Sequence, residues 1–541
     1  MSDNAEVYRD ISIIRRLSRI AAAGGKLSEK ASKALADLRA KYPDFEPEAG
    51  DRDDFDVYHS GGFRGPRGNP DILKDVSIDK LVETALSIQA AEQWEQGDLW
   101  STLCRSEPSR AIQAVEAAAA NQNWPANAWR PFLESVAESK EVKISEKVLA
   151  LLLAAPSALF VDAVFAVGSW MYRQLSTFKH NGVLAPDYLA LWDKFGALVY
   201  GEQPIETLER EYKNDLPTAA INDPGGLLAL ILLDTLIARK VDQDAGLPND
   251  LKDRATLAVS GTHQSSLLAR IIFCERLALT DSIDHQWTNE RLVSTLIVGA
   301  PNWREMWRAR AFDGHPGLAR LFNPLKPSLL ACLARPDLAH DEGQSLAAQL
   351  LRAYIWKRND AASGYEIETS EIRQALSAAS QGTRQAIAWI FMNWLRTRSE
   401  VDTTSPDQRW NEGIGRTFRE VWPKDANLRD QHTSQQLLWM ALSCDVCFPE
   451  AASFIENLIV PLQVYRIDIT FDFDKGGRER MTSYPRPFLK LLNAAIDPHS
   501  ERIPDDLGDI LTSLEHADPA IVNDNGFNRL SGAWRMRQSG R

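Results

Sequence analysis

The sequence predicts an all-α protein, an irregular HEAT-like helical array (α-solenoid) with at most one small β-hairpin, and three observations carry that prediction. From Ser77 onward, apolar residues recur at helical spacing in segments of roughly 10 to 20 residues, divided by short Pro, Gly, Asn and Asp breaks. Proline falls where helices should begin, at Pro108, Pro156, Pro186, Pro224, Pro301, Pro324, Pro406, Pro504 and Pro519, positions where a missing N–H costs nothing. Strand-like alternation is confined to residues 464–484. There Ile467, Ile469, Phe471 and Phe473 alternate with Asp468, Thr470, Asp472 and Asp474 before Gly476-Gly477, which is where the hairpin is expected.

The individual segments follow from these rules. Residues 1–41 read as an amphipathic helical region, and 42–77, rich in Asp, Gly and Pro, as a linker. Residues 78–541 read as the helical array, in one piece or two sub-domains, since single cores stop growing near roughly 250 to 300 residues. No fixed repeat period is present, so regular tetratricopeptide and ankyrin patterns are not supported; HEAT-like packing comes first and bundles joined end to end second. Asp223 can cap a helix begun by Pro224, whose Leu227, Leu228, Leu230, Ile231, Leu232, Leu233, Leu236 and Ile237 cover most of its circumference, so it should be central. The segment 384–398 should be central too, with Ile387, Trp389, Ile390, Phe391, Trp394 and Leu395 pointing in every direction.

Composition narrows the functional classes. An apolar share of 44% and a charged share of 25% describe a folded chain, and 61 basic against 74 acidic residues, a net charge of -13, disfavour a surface built to neutralise phosphates. The acidic N-terminus lacks a secretory pattern, and the longest apolar run, 148–161, is broken at Pro156, so neither export nor a membrane is expected. Five scattered cysteines make no disulfide framework, and a cytoplasmic location is the expectation.

No constellation assembles chemistry, so a non-enzymatic protein with no cofactor is expected. The glycine-rich stretch 61–68 lacks the Gly-Lys-Ser/Thr of a phosphate loop and reads as linker. Cys444 and Cys447 form a single Cys-x-x-Cys in an apolar helical context and read as buried thiols, as do Cys104, Cys274 and Cys332. Asp472, Asp474 and Gly477 resemble the start of a calcium loop, but its twelfth position is Ser483 rather than a bidentate carboxylate. Glu141-Val142-Lys143 lacks the strand and preceding Asp of a nuclease site.

The sixteen tryptophans are the compositional oddity, and most are expected to wedge between helices. Trp534 is the expected exception, because it lies in a C-terminal stretch with Arg529, Arg535, Arg537 and Arg541 and no carboxylate after Asp524. That stretch reads as a solvated tail, and Trp534, Arg529, Arg535 and Arg537 are the candidate partner-binding residues.

Several local patterns together resemble the long helical C-terminal region of bacterial sirtuin-like anti-phage defence proteins. They are Pro43-Asp44-Phe45 with Asp54-Phe55, Leu99-Trp100 with Glu107-Pro108, and Trp124-Pro125 with Trp129. Farther along come Asn222-Asp223-Pro224-Gly225, Arg419-Glu420-Val421-Trp422-Pro423, Phe448-Pro449-Glu450 and the stretch 491–511. The resemblance spans about residues 40–530 and brings no active-site residue, since the N-terminal NAD-consuming domain of such proteins has no counterpart here. It implies a helical sensor or scaffold module that binds a protein partner, an effector encoded separately or a phage component. A nucleic-acid-binding accessory protein using Arg-rich termini is the alternative, followed by a cryptic enzyme.

Overall fold

The structure, a computed structural model, describes residues 26–43, 69–91, 99–139, 141–205, 215–335, 342–396, 404–500 and 502–539, with scattered positions between 10 and 21. The glycine-rich stretch 61–68 and most of the expected linker lie outside the described residues. Two compact units are present, Met1–Glu107 and Pro108–Arg541.

In the first unit, helix Glu29–Lys41 begins at Ser28, whose hydroxyl accepts the Ala31 N–H at 3.3 Å. Its last residue, Lys41, pairs with the buried carboxylate of Asp10 at 2.8 Å. Helices Ile78–Ala91 and Leu99–Ser106 pack together with the short turn Pro70–Leu73, burying Leu73, Leu81, Leu99, Trp100 and Leu103.

The second unit is the helical array. A run of helices passes through it, each packed on the next: α1 (Ala126–Val136), α2 (Val164–Phe178), α3 (Pro224–Arg239), α4 (Gln264–Glu275), α5 (Trp303–Ala311) and α6 (Gly343–Asn359). It continues through α7 (Gln381–Arg396), α8 (Gln431–Leu442), α9 (Phe448–Ile455), α10 (Pro485–Ala495) and α11 (Asn525–Ser539). Such neighbour-to-neighbour packing is how a solenoid builds a continuous core from units that cannot bury their apolar faces alone. The remaining helices fill in between and cover this run.

Helix α3 shows how the sequence makes a central helix. Asp223 accepts the Gly225 N–H at 2.7 Å, Pro224 occupies the first turn, and Lys240 ends the helix in the left-handed conformation. A Cβ on Gly226 would lie 1.6 Å from the Ala220 carbonyl oxygen, so only glycine admits the preceding helix so closely. Leu228, Ile231, Leu232, Leu233 and Leu236 are buried against α2 and α4, each worth roughly 1.5–3 kcal/mol.

Three expectations are corrected. Pro324 does not open a helix but lies inside Ala319–Leu333, together with Pro327. Residues 464–484 hold no strand: Ile467–Thr470 is a helical turn, followed by Phe473–Lys475 and helix Gly477–Ser483. Asp506 takes the backbone N–H groups of Ile467 and Asp468 at 2.8 and 3.0 Å, capping the turn from a loop far along the chain. The β-hairpin is instead Lys179–His180 with Val183–Leu184, the sole sheet among the described residues. Asn181 and Gly182 both have positive φ, 49° and 74°, as a two-residue turn matched to strand twist requires.

Among the described residues, no single helix is long and apolar enough to cross a membrane, and the apolar pair Leu216–Asn222 and Pro224–Arg239 is bent by 74°.

Candidate functional site

Between α5 and Ala319–Leu333 runs the loop 312–318, whose carbonyls are taken up by side chains from below. Arg310, buried at the end of α5, donates to Asp313 Oδ2 at 2.9 Å and to the His315 carbonyl. Burial pulls the Arg310 guanidinium below its ordinary value, and the Asp313 carboxylate opposes that pull. From α6, Gln349 donates to the Asp313 carbonyl at 2.9 Å, Arg352 to that of Gly314, and Ser345 to that of Ala311. The Tyr365 hydroxyl donates to Gly317 O at 2.5 Å, and the His315 ring packs against Trp356 at 5.1 Å, tilted by 53°. The loop is thus a fixed wall, satisfied from the protein side.

Beside it lies a groove of about 360 Å³ between two successive helices of the run. Helix α6 contributes Gln344, Ser345, Ala348 and Arg352, helix α7 contributes Trp389, Ile390, Asn393 and Trp394, and the loop adds Gly314. Residues one and two turns apart share a helix face, which explains the sets 344, 348, 352 and 389, 393. Trp389 is 45% exposed, and the Arg352 guanidinium lies 6.0 Å from the Trp394 ring centre, within cation–π range. Among the described residues, the lining offers two indoles, two amides, a hydroxyl and one cation, and no carboxylate, histidine or cysteine. Such groups can stack on and hydrogen-bond to a ligand, and the described lining holds no proton-transfer pair or thiol.

Trp389 therefore departs from the expected core position: α7 buries Ile387, Ile390, Phe391, Met392 and Leu395 and leaves Trp389 at the surface. The signal was readable, since Gln385, Trp389 and Asn393 form a stripe at helical spacing that is polar apart from the indole. Arg352 carried no such signal, because its value comes from Trp394 on another helix.

The four candidates at the C-terminus lie on α11, so the expected solvated tail is a folded helix through Ser539. Arg529 donates to Asn493 Oδ1 and O at 3.1 and 2.6 Å, tying α11 to α10. Arg537 donates to Ile503 O at 2.6 Å, pairs with Asp505 and sits 5.4 Å over Trp534. Trp534 is half-buried, and Arg535 is exposed with its Nε 3.3 Å from Ser531 O. The contacts of Arg529 and Arg537 hold the helix down.

The other constellations have structural partners. All five cysteines are buried, and none is in a disulfide. The Cys444 thiol is pushed well up, first by its hydrogen bond with Cys447 and then by burial, which suppresses the reactive thiolate. Asp472 pairs with Arg396 at 3.5 Å, and Glu141 stands at the start of helix Val142–Ala154. His285 Nδ1 meets the buried Asp281 at 2.7 Å, where Arg320 also donates to the Asp281 carbonyl at 2.8 Å. Among the described residues, no group of three or more His, Cys, Asp or Glu side chains is placed to hold a metal ion.

Neither a family model nor a solved structure matches the chain. It is 21% identical over 518 residues to a protein of Sinorhizobium fredii described as uncharacterized protein y4cA, a match taking in 93% of this chain and 41% of that one. The chain thus spans about two fifths of the length of the curated relative it matches.

Proposed function

We propose that this chain is a non-enzymatic helical scaffold or sensor module that acts by binding a protein partner, and that the groove between α6 and α7 is its contact surface. One observation carries the reading: Trp389, a large aromatic 45% exposed, stands beside Arg352 and Trp394 on two successive helices of the array. Interface energy concentrates in Trp, Tyr and Arg side chains that fill or line such depressions. The setting we assign is defence against phage, on the strength of the motif resemblance alone. Nucleic acid is the weaker reading, since the chain carries a net charge of -13 and Arg529 and Arg537 are engaged within the protein.

The experiment is affinity purification from the native host with the parent and Trp389→Ala as parallel baits, quantified by mass spectrometry. A protein retained by the parent and lost from the Trp389→Ala bait supports the reading; equal recovery on both baits removes the groove from it. Turnover of NAD, ATP, DNA or RNA that survives repurification would make the protein an enzyme and overturn the non-enzymatic assignment.

A further inference from the structure

The groove's chemistry also specifies the kind of partner segment it takes, an inference that rests on the protein-binding reading above. Among the described residues, Arg352 is the one ionised side chain in the lining. A guanidinium has five N–H donors in a fixed fork, and the structure gives Arg352 the Gly314 carbonyl as acceptor on Nη1. Its cation–π contact with the Trp394 ring, 6.0 Å to the ring centre, consumes no further donor. Donors therefore remain beside the groove, where a carboxylate would be held by a charge-assisted pair. The Trp389 and Trp394 rings with Ile390 offer apolar surface on the same helix, and Gln344 offers an amide suited to an extended backbone.

We propose that the groove docks an acidic linear peptide segment of a partner protein, with an apolar side chain against Trp389 and Trp394 and a neighbouring carboxylate on Arg352. Charge complementarity selects this occupant: the described lining carries one cation and no carboxylate on a chain whose net charge is -13, so an acidic segment is attracted here and opposed by the charge of the chain as a whole. A basic segment would be drawn elsewhere. Discrimination then comes from the rejected sites as much as from the accepting one.

The test is selection of a random peptide display library on the full chain, followed by affinities of the selected synthetic peptides for the parent and four variants. The proposal expects peptides with Asp or Glu within a few residues of an aromatic or aliphatic anchor. Their affinity should fall roughly tenfold or more in Trp389→Ala and Arg352→Gln, and stay unchanged in Arg535→Ala. Because Arg352 also holds the loop, Asn393→Asp provides a second route: it adds a negative charge to the groove without touching the loop carbonyls and should weaken the same peptides. Selected peptides that are basic or uncharged, binding unaffected by Trp389→Ala and Asn393→Asp, or no peptide enriched over the Trp389→Ala protein would each overturn the proposal. An oligonucleotide that binds and is lost in these variants would overturn it as well. A native partner lost from the Trp389→Ala bait while no acidic peptide is selected would leave the protein-binding reading standing and sink only this one.

Discussion

Trp534 lies against Gly508: a Cβ placed on that glycine would come within 2.6 Å of the indole Nε1. The indole thus joins α11 to helix Leu507–Ala517, and Arg537 covers its other side. Trp389, in contrast, contributes to no such joint. Trp534→Ala should therefore destabilise the fold by about 2 kcal/mol, as partly buried large-to-small changes do, and Trp389→Ala should melt like the parent. Trp170, fully buried in α2, sets the upper reference, with an expected loss of about 3–5 kcal/mol on substitution by alanine. Denaturant unfolding of the three variants checks the order.

Glu275 gives a dependence on pH. It is the last residue of α4, where the helix dipole already disfavours a negative charge, and burial pushes its carboxyl up to about 7. The unfolded chain releases that proton near 4.5 while the folded chain keeps it to about 7, so this group's contribution to stability falls as pH rises through that window. Glu275→Gln should then behave nearly like the parent at pH ~4.5 and be the more stable protein at pH ~8. Unfolding midpoints at the two values decide; an equal difference at both would remove the raised carboxyl from the account.

Gly182 makes the β-hairpin. Its φ of +74° is strained for a side chain, and an added Cβ would lie 2.5 Å from the Cα of Arg239. Arg239 in turn donates to Gly182 O at 2.8 Å and forks onto both oxygens of Asp250 at 2.7 Å. Gly182→Ala should cost about 1–3 kcal/mol and loosen the end of α3, visible as faster amide exchange near Arg239. Exchange unchanged there would mean that the turn carries no load.

The helical character was legible because it is written locally, in apolar spacing, in Asp223-Pro224 at the start of α3 and in the prolines between helices. The misread strand shows where local rules fail. Ile467 and Phe471 are four apart and both buried, so they satisfy a helical period, while Ile469 between them is 71% exposed. Alternating residues fit both periods over so short a stretch, and the deciding group, Asp506, comes from another part of the chain. The true hairpin had its own local mark, Asn181-Gly182, obscured by strands of only two residues each. Pro324 is interior to a helix, where it was expected to punctuate. The groove was half legible: the Gln385, Trp389, Asn393 stripe is in the sequence, but its partner Arg352 and the Gly314 wall meet it only once α5, α6 and α7 are stacked.

The most direct measurement is hydrogen exchange of the full chain, free and bound to the partner recovered from the native host. Protection confined to α6, α7 and the loop 312–318, and absent with Trp389→Ala, is the result the account predicts. Protection centred on α11 instead, or no change at α6 and α7 when the partner is bound, would contradict it.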